Sequence, residues 1–342
     1  MRMRLLFDEF VECHKNGWGV HSMAWTKDRK YMISACITEI NVWTWPAMDR
    51  VHTFSMCSEE GKGQFFKNLT INQNGRIFFT TSNSKLYELY EFGERVWKMG
   101  EIDLGGIADT FLSTSMVSYR QSQDNYKTYL ALNHFGEYSD DKSATDIFYI
   151  TKGHGYRPYN SWNYGAYSMK IIDMIFSSNQ ILLVSFGPNK SEHYSNGTWM
   201  WDYKKDRILK ILASCCRMSF SPNNRYLACV CPDELKILKK NWAGHKSIQF
   251  ENSVLTKKLI FNREDNPVNI VFDNTGKYIV YSGYSQKANG VECNLNLVDW
   301  KKETILQNLS IDNITSLAFS PCGKYLLVGE RRVGLAMFKI TF

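Results

Sequence analysis

The stretch ITSLAFSPCGKYLLVGE, Ile314 to Glu330, reads as two short strands around a tight turn. In its first half Ile314, Leu317 and Phe319 are apolar among small polar residues, and YLLVG is almost wholly apolar, the pattern of a strand covered on both faces. Between them SPCG supplies turn chemistry: Pro321 fixes one φ, and Gly323 accepts the positive φ of a tight reversal. The hairpin recurs as FDNTGKYIVY from Phe272 and FSPNNRYLAC from Phe220. Weaker copies are FSSNQILLVS from Phe176, INQNGRIFFT from Ile71 and WTKDRKYMIS from Trp25, and YRQSQDNYKTYLAL from Tyr119 has a stretched turn. The interval between copies is roughly 44 to 57 residues, the length of a four-stranded unit.

A third strand, alternating in most copies, follows each hairpin: INVWTW, KLYELY, DIFYI, TWMWDY, ELKIL, NLNLVDW and LAMFKI. Edge-like fourth strands follow most of these, such as RVHTF, RILKIL and ETILQNL. The chain has 342 residues, 14% aromatic, with only 7 Pro, a composition that favours packed strands over disorder. Asp8, Glu9 and Glu12 interrupt any apolar run near the start, so no export signal is expected, and no stretch has the length of a membrane helix. Nine cysteines, among them Cys36, Cys229, Cys231 and Cys322, lie mostly in apolar runs and read as reduced thiols of an intracellular protein. Localisation is expected to be cytoplasmic, with the nucleus left open. The N-x-S/T triplets are read as chance matches in the absence of an export signal.

The hairpin followed by an alternating strand ending in Trp, with Trp201–Asp202 and Asp299–Trp300, resembles the WD-repeat β-propeller family over essentially the whole chain. Two departures are visible. Gly-His dipeptides stand at Gly153 and Gly244 and not at the start of each blade, and most third strands lack the terminal Asp. The fold class expected is all-β: a seven-bladed β-propeller of four-stranded antiparallel blades, as one domain over residues 1–342. Its blades begin near residues 20, 66, 113, 168, 215, 267 and 314. The last blade ends one strand short, so residues 1–10 are expected to complete it and close the ring.

Enzymatic motifs are missing from the sequence: no G-x-S-x-G, P-loop, H-E-x-x-H or dinucleotide fingerprint occurs. No two of the seven histidines have metal-ligand spacing, so neither metal nor cofactor is expected. Binding is the expected task. Three enlarged loops, residues 134–144, 187–197 and 284–292, are rich in Tyr, Ser, Asn, Gly and His, a mixture suited to protein recognition. Within them His134, Tyr138, His193, Tyr194 and Tyr284 are the candidate partner-binding residues, with Tyr156 and Trp162 from the aromatic segment 156–167.

The opposite face carries lysine pairs after third strands, Lys204 with Lys205, Lys239 with Lys240 and Lys301 with Lys302, together with Lys27, Arg29, Lys277 and Lys324 in turns. With a net charge of +7 these form a candidate anion-binding rim, opposed by the simpler reading of solvated lysines that Asp206 and Glu303 partly neutralise. The sequence therefore points to a non-catalytic scaffold or adaptor that binds protein or peptide partners within a multi-subunit complex, without membrane contact. An RNA- or ribonucleoprotein-associated propeller using the basic rim ranks second, and an enzyme with a site in the central channel third.

Overall fold

The computed structural model describes residues 3–12, 19–55, 65–71, 76–82, 85–91, 97–102, 116–120, 127–134, 144–151, 156–163, 171–178, 181–186, 197–212, 217–231, 234–243, 247–255, 266–287, 290–311, 313–331 and 334–341. Among them all regular structure is β, and the strands pair antiparallel in four-stranded sheets.

The chain forms two compact units. The middle unit comprises His21–Asn196 and Met200–Leu209. Its sheets are β2 (Ser22–Trp25) to β5 (Arg50–Ser55), β6 (Phe66–Ile71) to β9 (Trp97–Ile102), β10 (Met116–Arg120) to β13 (Tyr156–Asn163), and β14 (Ile171–Ser178) to β17 (Arg207–Leu212), except that Gly197–Trp199 and residues 210–212 of the last sheet group with the terminal unit. The terminal unit comprises Met1–Val20, Gly197–Trp199 and Lys210–Phe342. It holds the sheets β18 (Arg217–Phe220), β19 (Tyr226–Cys231), β20 (Glu234–Ala243), β21 (Ser247–Leu255), and β22 (Asn266–Phe272), β23 (Tyr278–Lys287), β24 (Gly290–Asp299), β25 (Thr304–Ser310). Its last sheet has the order β1 (Arg4–Glu12), β28 (Gly334–Thr341), β27 (Tyr325–Glu330), β26 (Ile314–Phe319).

The repeated hairpin has a common mechanism. In each of four copies a hydroxyl or carboxylate residue opens the turn, and its side chain accepts the backbone N–H of the tyrosine five residues on: Tyr31 to Thr26 at 3.0 Å, Tyr226 to Ser221 at 3.0 Å, Tyr278 to Asp273 at 2.7 Å and Tyr325 to Ser320 at 3.0 Å. The fourth turn residue donates its N–H to the first residue's carbonyl and has positive φ: Arg29 61°, Asn224 55°, Gly276 68° and Gly323 68°. At the two glycines the conformation suits the residue. A Cβ on Gly276 would also come within 3.3 Å of Pro222 in the neighbouring turn.

The period of two explains why the inner strands are apolar throughout. On β23, Tyr278 and Val280 join Leu295, Leu297, Leu326, Val328 and Phe338 in one core, while Ile279 and Tyr281 join Ala228, Val230, Ile237 and Trp300 in another. Met3 and Leu5 enter the first of these cores at 1% and 2% exposure. In the middle unit Ile33, Ile40 and Val42 pack against Phe66, Phe79 and Leu89 in the same manner.

The expectation of one closed seven-bladed ring is corrected. Six blades are runs of four consecutive strands, the remaining sheet is a composite of β1 with β26 to β28, and the sheets cluster in two compact units. The N-terminal strand is Arg4–Glu12 and not residues 1–10, and it pairs with β28 from Arg4↔Thr341 to Glu12↔Gly334, with a bulge between Phe7 and Glu9. Pairing of this kind completes a four-stranded sheet of the terminal unit. The free edge of β1 is covered at Leu5 by a side chain: Leu5 N–H donates to Gln307 Oε1 at 2.8 Å, and Gln307 Nε2 donates to Leu5 O at 3.0 Å. The carboxamide thus takes the place of a neighbouring strand's peptide group, and the bulge breaks the edge beyond it.

Candidate functional site: a cationic turn face

At one end of the terminal unit's sheets, the turns following β18, β22, β24 and β26 lie side by side. Asn274 Nδ2 donates to the carbonyls of Ser320 and Pro321 at 2.8 and 3.1 Å, joining two of these turns. Trp300 Nε1 donates to Gly276 O at 2.9 Å, and the Trp300 and Tyr226 ring centroids are 4.9 Å apart. Ile340 N–H donates to Lys324 O at 2.7 Å, while Lys339 stands opposite Tyr325, and Arg4 opposite Thr341. These contacts fix one continuous surface.

That surface is cationic. Arg4, Arg225, Lys301, Lys302, Lys324 and Lys339 are exposed and Lys277 is half-buried. Among the described residues, none of the seven is in an ion pair. The carboxylates beneath them are occupied by the backbone. Asp273, 4% exposed, accepts the N–H groups of Thr275, Lys277 and Tyr278 and the Thr275 hydroxyl. Asp299, 3% exposed, accepts Lys302 N–H at 3.2 Å. Charged acceptors suit such turns because an ionised oxygen strengthens each bond it accepts. The Lys277 ammonium is 4.8 Å from the Tyr278 ring centroid, and its hydrogen bond to Tyr278 holds its pKa above the ordinary lysine value. Lys301 lies over Trp300, 5.6 Å from the ring centroid.

The candidate residues taken from the sequence fall in several places. Lys204 and Lys205 are exposed in the turn between β16 (Gly197–Asp202) and β17, in the middle unit, so they are described apart from Lys301 and Lys302. Lys239 and Lys240 are not in a turn: β20 runs on to Ala243, with Lys239 opposite Tyr226 on one side and Glu251 on the other. The sequence of β20 remains pairing-competent past Leu238, so the strand outlasts the expected turn.

Among the partner-binding candidates, Tyr138, His193 and Tyr194 lie outside the described residues. His134 is the last residue of β11 (Lys127–His134), opposite Ala144. Tyr156 and Trp162 are on β13, the outer strand of its sheet, opposite Ile150 and Thr145. The expected loop at 284–292 is corrected, because Tyr284 pairs with Cys293 and the ladder continues to Lys287↔Gly290. A long hairpin satisfies the backbone groups that a loop would leave to water.

Arg4, Arg225 and Lys339 were missed. A signal for Arg225 was present: each described turn has a basic residue immediately before its tyrosine, as Lys30–Tyr31, Arg225–Tyr226, Lys277–Tyr278 and Lys324–Tyr325. Arg4 and Lys339 reach the surface through the pairing of β1 with β28, which no local pattern announces.

No protein-family model matches the chain, and no curated protein matches it. Solved structures do. The chain is similar to the β-propeller domain of Cps50 (Swd1) from Myceliophteria thermophila, with TM-score 0.63 and 11% identity over 96% of this chain and 98% of that one. It is similar to U3-55K, with TM-score 0.59 and 12% identity over 98% of each chain. The WD40 repeats of RRP9 give TM-score 0.58 and 11% identity over 99% and 97%. At such identities the likeness establishes the fold alone, which is that of a β-propeller.

Proposed function

We propose that the protein is a non-catalytic interaction platform, a subunit that holds a protein partner within a larger assembly. The observation that supports this best is the cationic turn face: exposed, unpaired charges stand on hairpins whose own hydrogen bonds are satisfied. Such a surface offers position and charge without a reacting group, and recognition residues are commonly carried on turns of a rigid scaffold. Buried Cys36, Cys229 and Cys293 fit residence in a reducing, intracellular compartment. The segments holding Tyr138, His193 and Tyr194 supply a second proposed contact.

A second reading, association with RNA, draws on the same cations, because phosphate contacts require little more than accessible Lys and Arg. Tagged full-length protein recovered from its native cells, with and without nuclease, separates the two. A stoichiometric protein complex that survives nuclease supports the platform, and recovery only with intact RNA supports the second reading. Wild-type protein that elutes as a lone chain under both conditions removes the platform reading.

A further inference from the structure

We infer that the terminal unit's turn face is a docking site for an acidic, extended segment of a protein partner. The inference rests on the platform reading and names the chemistry of what docks. Charge complementarity is its first support. Arg225, Lys277, Lys301, Lys302, Lys324 and Lys339 have no ion-pair partner among the described residues, while Asp273 and Asp299 below them are buried and accept turn N–H groups. The unit therefore gathers more cations than carboxylates at this end, with Asp273 and Asp299 held below the surface, where they act on Lys277 through space.

The second support is rigidity. The turns are cross-linked by Asn274 on Ser320 and Pro321 and by Trp300 on Gly276, so their charges stay in register when the face is unoccupied. Preorganised charge loses less on binding than charge on a mobile loop. The third support separates acidic protein from RNA. Bases of single strands are held by stacking on exposed rings. Here Tyr278 is 2% and Trp300 5% exposed, the Lys301 ammonium already covers Trp300, and the half-buried Tyr226 is packed against Trp300, so of these turns' rings only the half-buried Tyr325 is left. A row of carboxylates needs no ring, only ammonium and guanidinium groups at intervals along an extended chain.

The test uses the full chain and fluorescence anisotropy with three probes: a labelled peptide of alternating Glu and Ser, a Gln-Ser peptide of the same length, and a single-stranded uridine RNA carrying equal charge. The Glu-Ser peptide is expected to bind in preference to both others. The joint variant Lys277→Glu, Lys301→Glu, Lys302→Glu and Lys324→Glu is expected to weaken that binding more than about tenfold, since like-charge contacts replace opposite ones. The variant Lys27→Glu with Lys204→Glu, in the middle unit, should leave it unchanged. Circular dichroism and the melting temperature check the fold, and if the reversed variant does not fold, the corresponding Lys→Gln variant is used and a smaller loss is expected. RNA binding equal to or tighter than the peptide overturns the inference, as does absence of peptide binding or an equal loss in the middle-unit variant. If the native complex still assembles on the reversed variant, the acidic-segment inference fails and the platform stands; if wild type assembles nothing, the platform itself fails.

Discussion

Asp202-Tyr203-Lys204-Lys205-Asp206 in the middle unit and Asp299-Trp300-Lys301-Lys302-Glu303 in the terminal unit are one turn occurring twice. In both, the second lysine donates its N–H to the first Asp at 3.2 Å, and the final acid has positive φ, 50° and 55°. Their charges are handled differently. Lys205 Nζ lies 3.8 Å from Asp202, whereas Lys301 is drawn over Trp300 and Lys302 has no carboxylate partner. Lys30–Asp28, Arg76–Glu88 and Lys85–Glu101 are further ion pairs of the middle unit. A repeated turn fixes where lysines emerge. Their neighbours decide whether they are neutralised in place or left to attract something else.

The largest test of the contrast removes residues 1–12. The terminal unit loses a strand, the buried Met3 and Leu5 and the Gln307 clamp, and its stability to urea should fall by on the order of 5 kcal/mol. Amide exchange should accelerate across β26 to β28 while β3 (Tyr31–Ala35) and β7 (Ile77–Thr81) keep their protection. Equal acceleration in both units would abolish the distinction between them.

Asp273→Ala takes an acceptor from four donors under the cationic face and should cost about 3 kcal/mol, against about 1 kcal/mol for Thr26→Ala in the corresponding turn of the middle unit. Urea denaturation of the two variants measures this, and equal costs would show that the buried carboxylate has no special part in holding the face.

Glu88→Gln breaks a fork in which Arg76 Nε and a terminal guanidinium nitrogen reach both carboxylate oxygens, at 2.5 and 2.6 Å. With those side chains only 29% and 20% exposed, a loss of about 1–2 kcal/mol is expected. Lys302→Gln should change stability by less than about 0.5 kcal/mol, or raise it slightly by relieving like-charge repulsion. Melting temperatures at low and high salt check the pair: salt should narrow the first effect and erase the second.

The smallest effect concerns Tyr87. Burial, then the Glu101 carboxylate, pushes its pKa above the ordinary 10.0. Because the folded value exceeds the unfolded one, the associated stability is present below pH 10 and lost as pH rises through the folded pKa. The difference between the ultraviolet titrations of wild type and Tyr87→Phe should show a late-ionising tyrosine, and the substitution should remove the corresponding slope of stability against pH.

Much of the fold was legible because its hairpins are local. Ser320 to Tyr325 carries the polar opener, the positive-φ residue and the tyrosine within six positions, so the sequence displays the entire device. The candidate site was legible only in part. Lys277 and Lys324 could be read from the turns, but the expected loop at Tyr284 was a ladder and the expected turn at Lys239 was a strand. In both cases polar residues compatible with a loop also tolerate an exposed strand, and composition cannot separate the two.

By itself the sequence determined the β class, the hairpin turns and the apolar inner strands, since each follows from φ preferences and side-chain alternation among residues close along the chain. Tertiary structure alone decided what those hairpins present. Leu5 meets Gln307 across 302 positions, Asn274 reaches Ser320 across 46, and Trp300 covers Gly276 across 24. Whether a lysine ends beside a carboxylate, over a ring or open to an acidic partner depends on such pairings, and charge interactions act through space and not along the chain.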